Sequence, residues 1–183
     1  MSNERIRTVV ATLVEPTAHK EQKLRRLQST YREALDAAVE ADATTMTAVN
    51  DIVTPYELPY QAKDALKRHV PQLLEDSTPD LDAAQPVRFT NRAATFDHSA
   101  ERTHEFCLAV PQPGRGTNFW IPLAINPAQR NWWDQLLAGD ATAGQLQLVH
   151  YPRHDRWELH VPLSFPTPDM KVDHESCAPV GFD

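Results

Sequence analysis

Two His-x-x-Cys pairs, His104-Glu-Phe-Cys107 and His174-Glu-Ser-Cys177, carry the residue types a metal would choose. Together they offer two sulfur and two nitrogen donors, a set that zinc accepts. Local pattern argues against it. His104 to Cys107 falls in an expected strand, where residues three apart face opposite sides. His150 and His154 straddle the start of an expected hairpin and read as solvated or core-edge groups rather than ligands. No metal site and no cofactor is assigned. Pro-Gly-Arg-Gly at 113–116 lacks the lysine and the following helix of a phosphate loop, and reads as a hairpin turn. There is no Gly-x-Ser-x-Gly elbow, and Cys107 reads as a buried strand thiol rather than a nucleophile.

Basic and aromatic residues offer a second chemistry, phosphate contact and base stacking. Lys20, Lys23, Arg25, Arg26 and Arg32 fall on one expected helix. Lys63 and Lys67 lie one turn apart on another, and Arg68 has Asp64 four residues before it. Residue types alone favour a solvated face over phosphate contact. Trp120, Trp132, Trp133 and Trp157 could stack bases, though aromatics on amphipathic elements are more often core.

Composition narrows the classes. The chain has 183 residues, 18 Lys+Arg and 25 Asp+Glu, for a net charge of −7. A domain that grips nucleic acid by bulk charge is normally basic. Only 5 of the 18 basic residues are lysine, and this preference for arginine with an acidic excess suits a salt-rich cytoplasm. There, counterion release contributes little to phosphate binding, so a nucleic-acid binder need not be basic. The charge is uneven: residues 1–82 are net −4, 83–168 net zero and 169–183 net −3. No run approaches the ~18 apolar residues of a membrane span. The start has no apolar signal core and the two cysteines form no disulfide framework, so a cytoplasmic, membrane-free protein is expected.

The elements that would position these residues follow from periodicity. Ile6 to Val14 is β-branched and predicts a strand. Thr17 can cap a helix over 18–41, where Leu24, Leu27, Tyr31, Leu35 and Ala38 recur at three and four. A short helix over 44–53 and a third after Pro59, bent or restarted at Pro71, complete a helical segment. The period then changes to two. Strands are expected over 87–96, at Phe106 to Val110, at Phe119 to Ile125, over 145–151 and over 157–165. Pro152 to Arg156 joins the last two as a hairpin. Asn126 and Gly139 bracket one inserted helix whose buried side is Trp132, Trp133, Leu136 and Leu137. The fold class is α+β: a small antiparallel β barrel with a helical insertion after its first strand. Residues 1–15 give that strand, 16–82 the insert, 83–165 the rest of the barrel, and 166–183 a linker ending in a strand that has only begun.

These segments resemble the N-terminal part of the TnpB (OrfB) transposon proteins, RNA-guided DNA nucleases, in their haloarchaeal form. The resemblance rests on Leu-Val-Glu-Pro-Thr-Ala-His-Lys-Glu-Gln-Lys-Leu at 13–24, Tyr-Arg-Glu-Ala-Leu at 31–35 and Pro-Tyr-Glu-Leu-Pro-Tyr-Gln-Ala-Lys-Asp-Ala at 55–65. Pro-Val-Arg-Phe-Thr-Asn at 86–91, Phe-Trp-Ile-Pro-Leu at 119–123, the strand from Trp157 to Phe165 and the terminal Val-Gly-Phe-Asp183 continue it. The spacing from Pro16 to Glu21-Gln22 is longer than in most members. The resemblance implies a wedge-type barrel with a recognition insert that holds guide RNA and helps read target DNA. Candidate contacts are Lys20, Lys23, Arg25, Arg26, Arg32, Lys63 and Lys67 in the insert, and Arg153 and Arg156 at the hairpin. Asp183 would match the first carboxylate of the family's RuvC-like nuclease domain. The sequence stops there, so no DNA cleavage is expected of it, and a separate nuclease chain is a possible partner. The alternatives are a non-functional transposase remnant and, third, a small metal-dependent enzyme using the His/Cys pairs.

Overall fold

A computed structural model describes residues 5–75, 81, 85–114 and 116–166. Strand β1 (Arg5–Leu13) leads into three helices, α1 (Ala18–Glu40), α2 (Met46–Val53) and α3 (Tyr60–Glu75). Seven strands and a fourth helix follow: β2 (Val87–Phe89), β3 (Phe96–His98), β4 (Phe106–Val110), β5 (Phe119–Ile125), α4 (Arg130–Ala138), β6 (Thr142–Ala143), β7 (Leu146–Tyr151) and β8 (Arg156–Phe165). The expected α+β class and the helical segment after the first strand are both present. All strand pairs are antiparallel, in the order β2-β7-β8-β1-β5-β4-β3, with β6 added on β8.

Chain connectivity forces this sheet to curl. Laid flat, six strand spacings would separate β2 from β3 by about 29 Å. The seven residue steps from Phe89 to Phe96 reach at most ~25 Å, and less because Asn91–Ala93 winds into a 3₁₀ turn. The expected barrel-like closure is therefore a half-barrel. Its inner face is the core: Val9, Ala11, Leu123, Leu148, Leu159 and Val161 are buried and alternate with outward residues. Each such Val or Leu side chain contributes roughly 1.5–3 kcal/mol.

The helices cover the β2 end. Thr17 accepts the Lys20 N–H at 3.4 Å and starts α1, and Thr45 accepts the Ala48 N–H at 3.2 Å and starts α2. Leu24, Leu27, Tyr31, Leu35 and Ala38 form the buried stripe expected of α1. On the other side, α4 fills the gap where β1 and β5 diverge. Gln129 Oε1 accepts the Val10 N–H at 2.9 Å, a donor that lies beyond the β5 pairing. Trp133 packs edge-on against Phe96 at 5.5 Å. Gly139 ends α4 at φ 82°, a left-handed turn that glycine takes without strain.

Several expectations are corrected. The strand over 87–96 is two, because Thr90 turns inward and Asn91 and Arg92 stand exposed in the 3₁₀ turn. Helix α3 runs through Pro71 without restarting. Leu137 is exposed, while Trp133 alone of the α4 side chains is fully buried. Cys107 is the buried strand thiol expected, under Arg102, whose Nη1 lies 3.0 Å from the sulfur, whereas the one-faced pattern expected of β4 is absent because Ala109 is buried too. β6 has too few residues to show a period. Among the described residues no helix is long and apolar enough to cross a membrane.

Candidate functional site

Antiparallel pairing brings three segments to one end of the sheet: the end of β1, the β7–β8 turn and the start of β5. The N-terminal half of α1, capped four residues after β1, lies across that end. Its residues divide between two flanks.

On one flank, the Lys20 ammonium donates to the Trp120 carbonyl at 2.6 Å, and Lys23 stands 5.6 Å from the Phe119 ring centre. Arg26 pairs with Glu57. Lys23, Arg26, Glu57 and Gln112 line a cleft of about 140 Å³. Gln112 also lines a second cleft of about 420 Å³, which runs along Tyr60, Gln61, Gly114 and Asn118. Among the described residues two aromatics are exposed, Trp120, whose carbonyl Lys20 holds (46 %), and Tyr60 in the second cleft (58 %). The Lys67 ammonium lies 5.5 Å from the Tyr60 ring.

On the other flank, α1 meets the hairpin. Trp157 Nε1 donates to both Glu21 oxygens at 3.1 and 3.0 Å. Arg25 bridges two carboxylates, with Nε 2.7 Å from Glu21 and Nη2 2.6 Å from Asp155. Asp155 stands at the hairpin tip with φ 44°, a left-handed conformation that Asp tolerates better than most residues. The His150 ring stacks on Trp157 at 4.4 Å and 25°. Its Nε2 is 3.5 Å from Asp155 Oδ1 and makes no hydrogen bond. Farther along β8, Glu158 takes Arg156 at 2.8 Å and His160 at 3.0 Å.

The fold therefore joins Lys20, Lys23, Arg25 and Arg26 to the hairpin of Arg153 and Arg156, through the Arg25–Asp155 pair across 130 residues. It does not bring the other candidates there. Arg32 reaches the Leu81 carbonyl and Asp36, Lys63 donates to the Thr54 carbonyl at 2.6 Å, and Lys67 pairs with Asp64 at 3.4 Å. Arg156 faces Glu158 and the Tyr151 ring, so of the nine candidates only Arg153 has no partner among the described residues. His104 lies outside β4, and His174, Cys177 and Asp183 fall outside the described residues. His150, expected at a core edge or in solvent, is buried. Trp157 and Trp133 are core, Trp132 packs on Arg7 and Phe165, and Trp120 is the exposed tryptophan. Glu21 had no signal in the sequence, where it is one more acid on a charged helix. No protein-family model matches the chain, and no curated protein matches it.

Two other polar groups lie apart from this end. A cleft of about 480 Å³ is lined by Glu105, Phe106 and Arg130, with Arg130 holding the Glu105 carboxyl below its usual range. Between the helices and β2, burial pushes the Tyr31 phenol up. Burial and then the Arg88 charge bring the His69 pKa down to about 4.

Proposed function

We propose that this chain is a nucleic-acid-binding module of the TnpB type, which holds guide RNA and contributes to target DNA recognition without catalysis of its own. The observation that carries the reading is the α1 flank, where Lys23 and Arg26 line a cleft that shares Gln112 with the cleft of the exposed Tyr60, and Lys20 holds the backbone of the exposed Trp120. Cations that follow a backbone and aromatic faces that stack bases are the two requirements of single-strand binding. The helical segment after the first strand of a curled antiparallel sheet is the architecture the family resemblance implies. Arg153, free of partners among the described residues, extends the cationic edge at the hairpin.

The competing reading is a folded remnant that binds nothing. It is favoured by the internal pairing of Arg25, Arg26, Arg156 and Lys67, whose charges are already met. Fluorescence anisotropy with labelled single-stranded RNA separates the two. The expected result is saturable binding that Lys20→Ala/Lys23→Ala/Arg26→Ala weakens at least tenfold, with a salt slope smaller by about 2. Trp120→Ala and Tyr60→Ala should each weaken it about five-fold or more. A folded chain that binds no RNA above background would leave the remnant.

A further inference from the structure

The hairpin flank of α1 holds donors that the nucleic-acid reading does not use. One ligand atom each from Glu21, His150 and Asp155 lie within 4.8 Å of one another. Two carboxylates alone would be an ordinary surface pair. The third group changes that. His150 is 6 % exposed, and its Nε2 has no hydrogen-bond partner although it faces Asp155 at 3.5 Å. A buried ring nitrogen without a partner carries a desolvation cost unless something arrives to meet it.

We propose that Glu21, His150 and Asp155 form a binding site for a divalent transition-metal ion of the zinc–manganese class. Imidazole with two carboxylates suits such an ion and not magnesium or calcium, which take oxygen donors. A tetrahedral ion with bonds of about 2.1 Å sets its donors ~3.4 Å apart. The His150–Asp155 separation of 3.5 Å already meets this. Asp155, at an exposed hairpin tip, and Glu21, on the first turn of α1, need close in by no more than about 1.4 Å. The supporting shell is in place. Trp157 stacks on the His150 ring and donates its indole N–H to Glu21, which fixes the orientation of two of the three ligands. Three protein donors leave at least one position of the ion for water or a phosphate oxygen.

Arg25 is the competitor. Its guanidinium now bridges Glu21 and Asp155, the charge an arriving cation would replace. The Arg25 side chain is 49 % exposed, so it can swing into solvent and release both carboxylates. This gives the proposal a consequence that a chance surface ion would not share: removing Arg25 should tighten metal binding.

Isothermal titration of the full chain with ZnCl₂, and separately MnCl₂, tests it. One ion per chain is expected. Asp155→Asn and Glu21→Gln should each weaken binding at least tenfold, and His150→Ala at least a hundredfold. Arg25→Ala should strengthen it several-fold. Asp155→Asn is the deciding variant because asparagine is at ease in the left-handed conformation, so its fold should survive. No saturable binding overturns the proposal. So does zinc affinity unchanged in Asp155→Asn and Glu21→Gln, which would place the ion elsewhere, for example on His174 and Cys177. Weaker binding in Arg25→Ala overturns it as well.

Discussion

Two clusters in this molecule each set a histidine near an arginine and differ in their acids. At the sheet end, His150 shares Asp155 with Arg25, and Glu21 completes a group with two carboxylates to one guanidinium. Under the helices, His69 and Tyr31 lie near Arg88, whose guanidinium reaches Gln145 at 3.5 Å. Each imidazole has an Nε2 without a hydrogen bond. The carboxylates decide the outcome. With them, His150 faces two acids that a cation would join; without them, burial first and the Arg88 charge second keep His69 neutral. Residue type sets what a group can do, and its counter-charges set what it does.

The outer cluster depends most on its indole wall. Trp157 is 1 % exposed, supports the His150 ring and holds Glu21. Trp157→Ala should lower stability by about 3–5 kcal/mol in urea denaturation and release the hairpin from α1. A loss near 1 kcal/mol would mean that the indole is not the keystone of that end.

The inner cluster is sharpened by pH. The folded-state pKa of His69 is about 4, below its ordinary 6.5, so the unfolded chain binds more protons between these values. Stability from this group is fully present above pH 6.5 and is lost as pH falls toward 4. Because the ring is partly solvated, the loss should be about 1 kcal/mol rather than the full shift. Denaturant titrations at pH 7 and pH 4.5 should show it, and His69→Gln should flatten that component. An equal slope in wild type and His69→Gln would remove the group from the account.

A smaller effect separates burial from charge. Arg88→Met takes away the second cause of the His69 shift and leaves the first. The His69 pKa should rise part of the way toward 6.5 in an NMR titration. The smallest change belongs to the outer cluster. Arg25→Ala removes two surface ion pairs and should cost 0 to about 1 kcal/mol, less at high salt. A larger cost would mean that Arg25 is a structural clasp instead of a displaceable counter-ion.

Local pattern was enough for most elements. The stripe of Leu24, Leu27, Tyr31 and Leu35, the cap at Thr17, and the alternation at Phe119–Ile125 are near-neighbour properties, and each became the element it predicts. Legibility failed where the decision was not local. The residues 87–96 look like one strand because Val87, Phe89 and Phe96 are apolar, yet the sheet needs its two ends joined there, and the chain turns at Asn91–Ala93.

The candidate basic residues were visible as types, and their fate was not. Arg25 and Arg26 are neighbours on a helix, but one meets Asp155 and the other Glu57 because adjacent residues point about 100° apart. Glu21 and Trp157, 136 positions apart, had no reason to be linked along the chain.

The sequence by itself determined the α+β class, the helical segment after the first strand, and the cations available to the sheet end, since period, caps and side-chain chemistry act within a few residues. The tertiary structure alone decided which histidine is buried, which acids surround it, which tryptophan faces solvent and which lysines flank a cleft. Those outcomes depend on strand order and on the curl of the sheet, and electrostatic and packing energies are fixed by distances through space rather than along the chain.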